Sequence, residues 1–107
     1  MTQQELTLLN LGDNLDNLSN LDPRGYGVCR ILYPAARKFT GSPFSINAAV
    51  KLCDTVKEND LVYIMTGFVL LPFKKAEMDG IVSSVLLARS LVLAFGAKPV
   101  IICPQEN

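Results

Sequence analysis

The sequence predicts an α/β protein in which N-terminal helices precede a parallel strand–helix–strand (βαβ) unit. Leu61–Met65 and Val100–Cys103 are continuous apolar runs bounded by turn residues, which is typical of strands buried on both faces of a parallel sheet. Between these runs, apolar residues recur at helical spacing from Ile81 to Phe95, and Gly96 is a helix stop. Because two parallel strands cannot close a core alone, we expect them to belong to a larger doubly wound, Rossmann-like sheet.

The length of 107 residues is that of one small domain. We expect residues 1–60 to form a helical lead-in and residues 61–103 to form the βαβ unit. Since the second strand is followed almost at once by Asn107, residues 1–107 are interpreted as a single domain that is part of a larger one, or that borrows strands from another copy. Both interpretations stay open at this point.

Three helical segments are predicted in the lead-in. Residues 1–20 should form two short helices separated by Gly12-Asp13-Asn14, with a shared leucine face. Residues 28–38 contain Pro34 and should form a short helix broken near Tyr33, or an irregular segment. A third helix should follow an N-cap at Ser42 and run to about Lys57. The leucines assigned to the shared face are Leu6, Leu9, Leu15, Leu18 and Leu21.

Composition excludes several function classes. Ten basic and ten acidic residues balance, and without a basic cluster we expect no nucleic-acid partner. The longest apolar run, residues 85–95, is interrupted by Arg89 and is too short to span a bilayer, so we expect no membrane partner. The chain has no His, which removes the commonest nucleophile–base pairs and argues against a zinc site.

The cysteines point to a reducing compartment. Cys29, Cys53 and Cys103 are odd in number and form no C-x-x-C pair, so neither a disulfide framework nor a metal site is expected. Each is interpreted as a small buried hydrophobe. No targeting segment is evident, and we expect a cytoplasmic protein, or one of the mitochondrial matrix if the source is eukaryotic.

The candidate site lies between the first predicted strand and the helix that follows. Thr66-Gly67 should end the strand in a tight turn that needs glycine. Asp79 is a good N-cap for the helix, and Glu77 lies beside it. Two adjacent carboxylates can act as general acid and base, or can hold a hard cation. The plainer alternative is that Asp79 only caps the helix and Glu77 only complements its dipole.

A second candidate is Arg24, in the turn Asp22-Pro23-Arg24-Gly25-Tyr26-Gly27. The two glycines permit positive φ, so the turn could present Arg24 to an anionic ligand, whose carboxylate its guanidinium matches. A solvated arginine in an ordinary loop is the equal alternative. No phosphate-binding glycine loop of either common kind occurs in the chain.

These segments together resemble the D-glutamate cyclase family over about residues 15 to 103. The resemblance rests on the Asp22-Pro23-Arg24-Gly25 loop, on Thr66-Gly67-Phe68 at the strand end, and on Glu77-Met78-Asp79-Gly80 at the helix start. These are similar to the family's D-P-x-x-R-G, T-G-F and E-T-D-G-P-P-G segments. The chain departs from the family in having Ile81-Val82-Ser83 where the family has P-P-G, and its first loop is shorter.

The resemblance implies a hydro-lyase that cyclises D-glutamate to 5-oxo-D-proline with loss of water. By motif position, Glu77 and Asp79 would be the catalytic acids. Arg24, Thr66, Gly67, Phe68 and Gly80 would bind the substrate. No cofactor and no metal ligand are assigned.

Two further functions stay open beside the enzyme. The chain could be a non-catalytic α/β module that binds a small anion or assembles with other chains, and we expect a homo-oligomer or a fragment of a larger chain. A nucleotide-binding half-domain is the weaker alternative, because its glycine fingerprint is missing. Strongly apolar helix faces on a two-stranded sheet favour assembly.

Overall fold

A computed structural model of the chain describes residues 1–67, 69–70 and 75–104. The chain forms two compact units, unit 1 (Met1–Asp54) and unit 2 (Thr55–Asn107). Unit 1 is helical, whereas unit 2 combines helix and strand. The elements of the described residues are α1 (Gln3–Ser19), α2 (Val28–Thr40), α3 (Phe44–Thr55), β1 (Leu61–Met65), β2 (Val69–Leu70), β3 (Lys75–Ala76), α4 (Met78–Phe95) and β4 (Lys98–Ile102).

Helix α1 is continuous, so the prediction of two short helices is wrong. The helix begins at a capping box, in which the Thr2 side chain accepts from the Glu5 N–H and the Glu5 side chain accepts from the Thr2 N–H. Gly12 does not end it. A Cβ on Gly12 would collide with Ile46 Cγ1 and would lie 2.8 Å from Pro43 Cβ, so this glycine lets α3 approach closely.

The buried face of α1 is not the predicted leucine face. Gly12 and Asp16 are buried, and Leu9 is half-buried beside them. Leu18 and Leu21 are each 65% exposed. Apolar periodicity therefore selected the wrong side of α1, because a glycine and an acid make its tertiary contacts.

Helix α2 runs through Pro34 without interruption, so the predicted break near Tyr33 is wrong. Proline removes one backbone hydrogen bond within the helix. Side-chain contacts hold the helix on both sides of this gap. Tyr33 donates to Asp16 at 2.9 Å, and Arg37 donates to Asp13 at 3.1 Å.

Helix α3 is capped by a side chain from α1, and not by the predicted Ser42. The Asp16 carboxylate accepts from the Phe44 N–H at 2.7 Å and from the Ser45 N–H at 2.9 Å. Ser42 instead donates its hydroxyl to Asn47 Oδ1. A carboxylate in this position satisfies free N–H groups and complements the helix dipole.

Unit 2 is organised around a parallel pair, β1 and β4, which confirms the predicted strand–helix–strand order. Leu61 pairs with Lys98 and Met65 with Ile102. Strand β4 starts earlier than predicted and includes Pro99. The Lys98 N–H donates to the Asp60 carbonyl at 2.8 Å, and since direction alternates along a strand, the Pro99 nitrogen faces away from β1 and no pairing bond is lost.

The described sheet has these two strands, and one side of β1 is uncovered. Val62 and Ile64 are half-buried, whereas Tyr63 and Met65 are 63% and 75% exposed. The expectation of a strand covered on both faces is therefore wrong for the described residues. The covered side faces α4, which packs on β4.

An antiparallel hairpin, β2 with β3, occupies the segment that was predicted as a plain loop. Val69 pairs with Ala76, and Leu70 pairs with Lys75. In chain order, this pair lies between β1 and α4. Pro72 and Lys74 of the predicted loop lie outside the described residues.

Helix α4 ends as predicted at Gly96, which has φ 65° and whose N–H donates to the Leu91 and Val92 carbonyls. Among the described residues of unit 2, the buried apolar side chains are Leu91, Ala97 and Val56. On the sheet side of α4, Gly80 and Ala88 are half-buried and Ser84 is buried.

The same helix is 18 residues long with mean hydropathy 1.7, so by length and composition it could cross a bilayer. It extends back to Met78, so the length argument made from residues 85–95 alone does not hold. Its packing on β4 is nevertheless that of a βαβ crossover.

The cysteine interpretation is partly wrong. Cys53 and Cys103 are exposed and Cys29 is half-buried, and all three are free thiols. Cys53 lies on a side of α3 that is exposed, together with Ala49 and Val50.

Candidate functional site

The site begins where β1 ends. The Thr66 N–H donates to the Ile102 carbonyl at 3.0 Å, so the parallel ladder extends one residue past the strand. Gly67 then turns the chain with φ 113°, a conformation that side chains rarely allow. This confirms the prediction of a strand exit that requires glycine.

Gly80 brings the first turn of α4 against this strand exit. A Cβ on Gly80 would lie 2.8 Å from Thr66 Oγ1, closer than real side chains approach. The family resemblance had assigned both residues to one site, and the structure places them in direct proximity. Ser84 follows one turn later and donates its hydroxyl to the Gly80 carbonyl at 2.6 Å.

The two acids have the opposite placement from the one predicted. Glu77 occupies the N-cap position but makes no side-chain capping bond, and Asp79 lies within the first turn. Asp79 accepts from the Gly80 N–H at 2.7 Å, which is a local contact. Both acids are exposed. The interpretation of Asp79 as the N-cap residue is therefore wrong, and Glu77, which takes that position, makes no side-chain capping bond.

Glu77 and Asp79 line one open depression together with the strand exit. Its volume is about 420 Å³, and its described lining is Met65, Thr66, Gly67, Glu77, Asp79 and Gly80. The structure thus brings together five of the seven predicted site residues. The described lining carries two negative charges, and backbone N–H groups at the start of α4 supply donors next to them.

The other two predicted site residues are not part of this group. Phe68 lies outside the described residues. Arg24 belongs to unit 1, where it is exposed in the turn between α1 and α2. That turn forms as predicted: the Gly25 N–H donates to the Asp22 carbonyl at 3.0 Å, and Gly25 and Gly27 both have positive φ.

The turn also borders an open cavity of about 460 Å³ within unit 1. Asp22 organises it by accepting from the Gly27 N–H at 2.6 Å, and Arg30 of α2 contributes a positive charge. Across residues 1–67, 69–70 and 75–104, no three His, Cys, Asp or Glu side chains cluster in a way that could hold a metal ion.

Comparison with known protein families decides the relationship of this chain. A family model described as D-glutamate cyclase-like, C-terminal, matches residues 15–107. The chain belongs to this family. Searches of curated proteins and of solved structures gave no match. In this D-glutamate cyclase-like chain, the matched region includes α2 and α3 of unit 1 and all of unit 2.

Sequence reasoning missed a small apolar cavity behind the site of this D-glutamate cyclase-like chain. It has a volume of about 130 Å³ and shares Thr66 with the depression. Its other lining residues are Ile81, Ser84, Val85, Ile101 and Cys103. The spacing of Gly80, Ser84 and Ala88, three small residues four apart, is the signal that could have indicated the packed side of α4.

Sequence reasoning also missed Asp16, the buried polar centre of unit 1. Burial alone would raise the pKa of this carboxyl, but hydrogen bonds from the Ser45 hydroxyl and N–H, the Phe44 N–H and the Tyr33 hydroxyl outweigh burial and lower the pKa to about 2. Burial, followed by the hydrogen bond to Asp16, raises the pKa of Tyr33. Asp16 is therefore an ionised structural acid, and the sequence pattern gave no local signal for it.

Proposed function

We propose that the chain is part of a D-glutamate cyclase-like hydro-lyase that converts D-glutamate to 5-oxo-D-proline and water. The observation that carries the proposal is a single depression lined by Glu77, Asp79 and the Thr66-Gly67 strand exit. The chain that contains it belongs to the D-glutamate cyclase-like family. Two exposed acids at one helix start, neither of which caps the helix, are available for chemistry.

The reaction needs a base and an acid. The substrate ammonium must lose one proton so that its nitrogen can attack the γ-carboxyl carbon, which forms the C–N bond. The nitrogen then loses a second proton, a C–O bond breaks, and the departing oxygen takes up two protons and leaves as water. We assign the removal of protons from nitrogen and their delivery to oxygen to the Glu77 and Asp79 pair.

Substrate binding is assigned to the groups around the pair. N–H groups at the start of α4 would receive one substrate carboxylate. Gly67 and Gly80 would allow the substrate to approach the backbone, with Thr66 beside it, and the family resemblance adds Phe68 by motif position. By its motif position alone, Arg24 of unit 1 is proposed as a carboxylate-binding residue, since its guanidinium suits a bidentate contact. No cofactor is assigned.

The test is direct conversion. The full chain is incubated with D-glutamate, and 5-oxo-D-proline is measured by chiral chromatography, with L-glutamate as the stereochemical control. Asp79→Asn and Glu77→Gln should each lower the rate by about 100-fold or more, as expected for loss of a general acid or base. Asp54→Asn removes a charge at an exposed position of α3 in unit 1 and should leave the rate unchanged.

The outcome separates catalysis from stability. Asp79 makes only a local bond to the Gly80 N–H, so Asp79→Asn should change the free energy of unfolding by less than about 1 kcal/mol. Full activity in both acid variants would refute the assignment of the pair. Tight ATP or NAD binding without any response to D-glutamate would instead support a nucleotide half-domain.

A second candidate is a non-catalytic module that assembles with other chains. The observation that favours it is the small apolar core: Val56, Leu91 and Ala97 are the buried apolar residues of the described chain. If no 5-oxo-D-proline forms under any condition while the chain assembles into a defined complex, this candidate replaces the enzyme.

We further propose that β1 and β4 belong to a larger doubly wound sheet in the complete assembly, which operates in the cytoplasm. The support is the composition of β1, an apolar run whose Leu61, Tyr63 and Met65 are exposed. Slow hydrogen exchange at the Tyr63 amide in the assembly, and fast exchange in the isolated chain, would be the expected result. Fast exchange in both would refute the larger sheet.

A further inference from the structure

Helix α4 is apolar on the side that faces away from the sheet. Its packed side carries Gly80, Ser84, Ala88, Leu91 and Phe95, which are buried or half-buried. At about 3.6 residues per turn, the opposite side of the helix carries Asp79, Val82, Leu86, Arg89 and Leu93. We call these five residues the outer seam of α4.

The outer seam is exposed in the described chain. Val82 is 50% exposed, Leu86 59% and Leu93 73%. A helix that is apolar on all sides is typically buried on all sides, and a contiguous exposed apolar patch marks an interaction surface. Unit 2 therefore presents an interaction surface that its own described residues leave open.

The spacing of the seam is that of a helix–helix contact. Its members follow one another at intervals of three and four residues, which is the heptad spacing of packed helices. The two apolar residues Val82 and Leu86 lie at the centre of the first four members. An acid, Asp79, lies at one end of this group and a base, Arg89, at the other.

We propose that the occupant of the outer seam is α4 of a second copy of this chain, packed antiparallel about a two-fold axis. In this arrangement Val82 packs against Leu86 of the second copy, and Asp79 faces Arg89 of the second copy. The same two contacts recur on the other side of the axis, as a closed two-fold interface requires. The proposal stands independently of the catalytic one.

Charge complementarity selects this occupant. Positions 79 and 89 are equally far from the midpoint between positions 82 and 86. Antiparallel packing about this midpoint therefore places Asp79 of each copy against Arg89 of the other, which gives two pairs of opposite charge. A parallel in-register pair would set Asp79 against Asp79 and Arg89 against Arg89, which is unfavourable. A lipid bilayer would have to take up Arg89 near the middle of the apolar stretch, which is also unfavourable.

The arrangement has a consequence for the depression of unit 2. Asp79 lines it, and its described lining carries acids without a base. Antiparallel pairing would bring Arg89 of the second copy beside Asp79, which adds a positive charge at the edge of the depression.

The test is sedimentation equilibrium on the full chain and matched variants, with far-UV circular dichroism as the check on folding. The unaltered chain should form a discrete dimer. Leu86→Gln should raise the dissociation constant by at least about tenfold, because it places an amide in the centre of the seam. Leu87→Gln changes the neighbouring exposed leucine, which lies off the seam, and should leave the dissociation constant unchanged.

Charge variants test the antiparallel direction. Arg89→Asp places two like-charge pairs in the seam and should raise the dissociation constant by at least about tenfold. The double variant Asp79→Arg with Arg89→Asp restores opposite charges and should return the dissociation constant to within about threefold of the unaltered chain. Lys51→Asp, at an exposed position of α3, controls for the change in net charge.

Several outcomes would overturn the proposal. These are a monomer at all concentrations, a polydisperse aggregate, and binding of the chain to neutral phosphatidylcholine vesicles in place of dimerisation. A dimer that Leu86→Gln and Leu87→Gln weaken equally would also overturn it. So would a double charge variant that stays as weak as Arg89→Asp alone.

Discussion

Unit 1 and unit 2 are stabilised by different kinds of interaction. Unit 1 is organised by a buried carboxylate, Asp16, which joins α1 to Tyr33 of α2 and to the start of α3. Unit 2 is organised by backbone pairing of β1 with β4 and by a few buried apolar residues, of which Leu91 is the most buried. Polar contacts fix the first unit, whereas pairing and burial fix the second.

A polar centre and an apolar centre differ in how much stability depends on one side chain. A polar centre such as Asp16 depends on several exact donors, so removal of one acid leaves donors in a partly buried place without a partner. An apolar centre does not depend on exact donors, but it requires enough buried apolar surface area to stabilise the fold. The described residues of unit 2 include few buried apolar side chains, so the proposed assembly would add buried apolar area to this unit.

The largest expected effect comes from Asp16→Ala. The change removes the acceptor for the Phe44 N–H, the Ser45 N–H and the Tyr33 hydroxyl. Loss of a helix cap costs about 1 kcal/mol, and unsatisfied buried donors add to this. We expect a loss of about 3 kcal/mol in the free energy of unfolding. The measurement is urea denaturation followed by far-UV circular dichroism.

Asp79→Ala is the matched control in the second unit. Its carboxylate is exposed and accepts only from the neighbouring Gly80 N–H, so it should cost less than about 1 kcal/mol. Amide hydrogen exchange at Ser45 should rise in the Asp16 variant and stay unchanged in the Asp79 variant. Equal losses in the two variants would remove the contrast between the units.

Acid should weaken unit 1 in a defined window of pH. The pKa of Asp16 is about 2 in the folded chain, below its ordinary value of 3.8. A depressed pKa means that the unfolded chain binds the proton more readily. The stabilising contribution is therefore complete above about pH 4, and it is lost as the pH falls through about 2.

The measurement is the urea midpoint of helix unfolding at several pH values between 6 and 2. Asp16→Asn should flatten this dependence, because it removes the titrating group. If the urea midpoint falls with pH as steeply in Asp16→Asn as in the unaltered chain, the acid sensitivity comes from other carboxylates.

The units also differ in how far their structure could be predicted. In unit 2, the apolar runs and the Gly96 stop gave β1, α4 and β4 nearly at their observed bounds, since backbone pairing and burial leave a local trace in the sequence. In unit 1, the cap of α3 comes from Asp16, 28 residues before Phe44. No local pattern encodes that contact, so the capping residue and the buried face of α1 were both predicted wrongly.

The candidate site was predicted in part for the same reason. Thr66 and Gly67 were predicted because a strand exit has a local composition, whereas Gly80 was assigned by the family resemblance. The exchange of roles between Glu77 and Asp79 was not foreseen, because α4 starts at Met78, two residues earlier than the predicted cap at Asp79 implies. Strands β2 and β3, which precede α4, lie in a segment with no clear strand pattern.

A smaller effect is expected from alanine substitutions at two glycines, Gly12 in unit 1 and Gly80 in unit 2. Each glycine allows a close contact within its own unit. A Cβ at Gly12 would meet Ile46 Cγ1 and the Pro43 ring, whereas a Cβ at Gly80 would meet only the Thr66 hydroxyl at 2.8 Å. A proline ring cannot rotate away, so Gly12→Ala should cost about 1–3 kcal/mol by overpacking.

Gly80→Ala should be nearly neutral for stability, because the gain in helix propensity, about 1 kcal/mol, offsets the shift of Thr66. The free energy of unfolding from urea denaturation checks both variants. If Gly80→Ala lowers stability as much as Gly12→Ala, the strand exit is as rigid as the helix contact, and the Thr66 side chain has no freedom to move.

The smallest effect is expected from Arg37→Gln, which tests whether the polar organisation of unit 1 extends beyond Asp16. Arg37 contacts Asp13 at 3.1 Å, but their side chains are 24% and 44% exposed. Water screens such a pair, and exposed ion pairs contribute about 0.2–1 kcal/mol. We therefore expect a loss below about 1 kcal/mol that shrinks further in 1 M sodium chloride. Urea denaturation at low and high salt measures both. A loss comparable to that of Asp16→Ala would mean that the Asp13–Arg37 pair and the Asp16 centre act as one network, in which case the double variant would be less destabilised than the sum of the two changes.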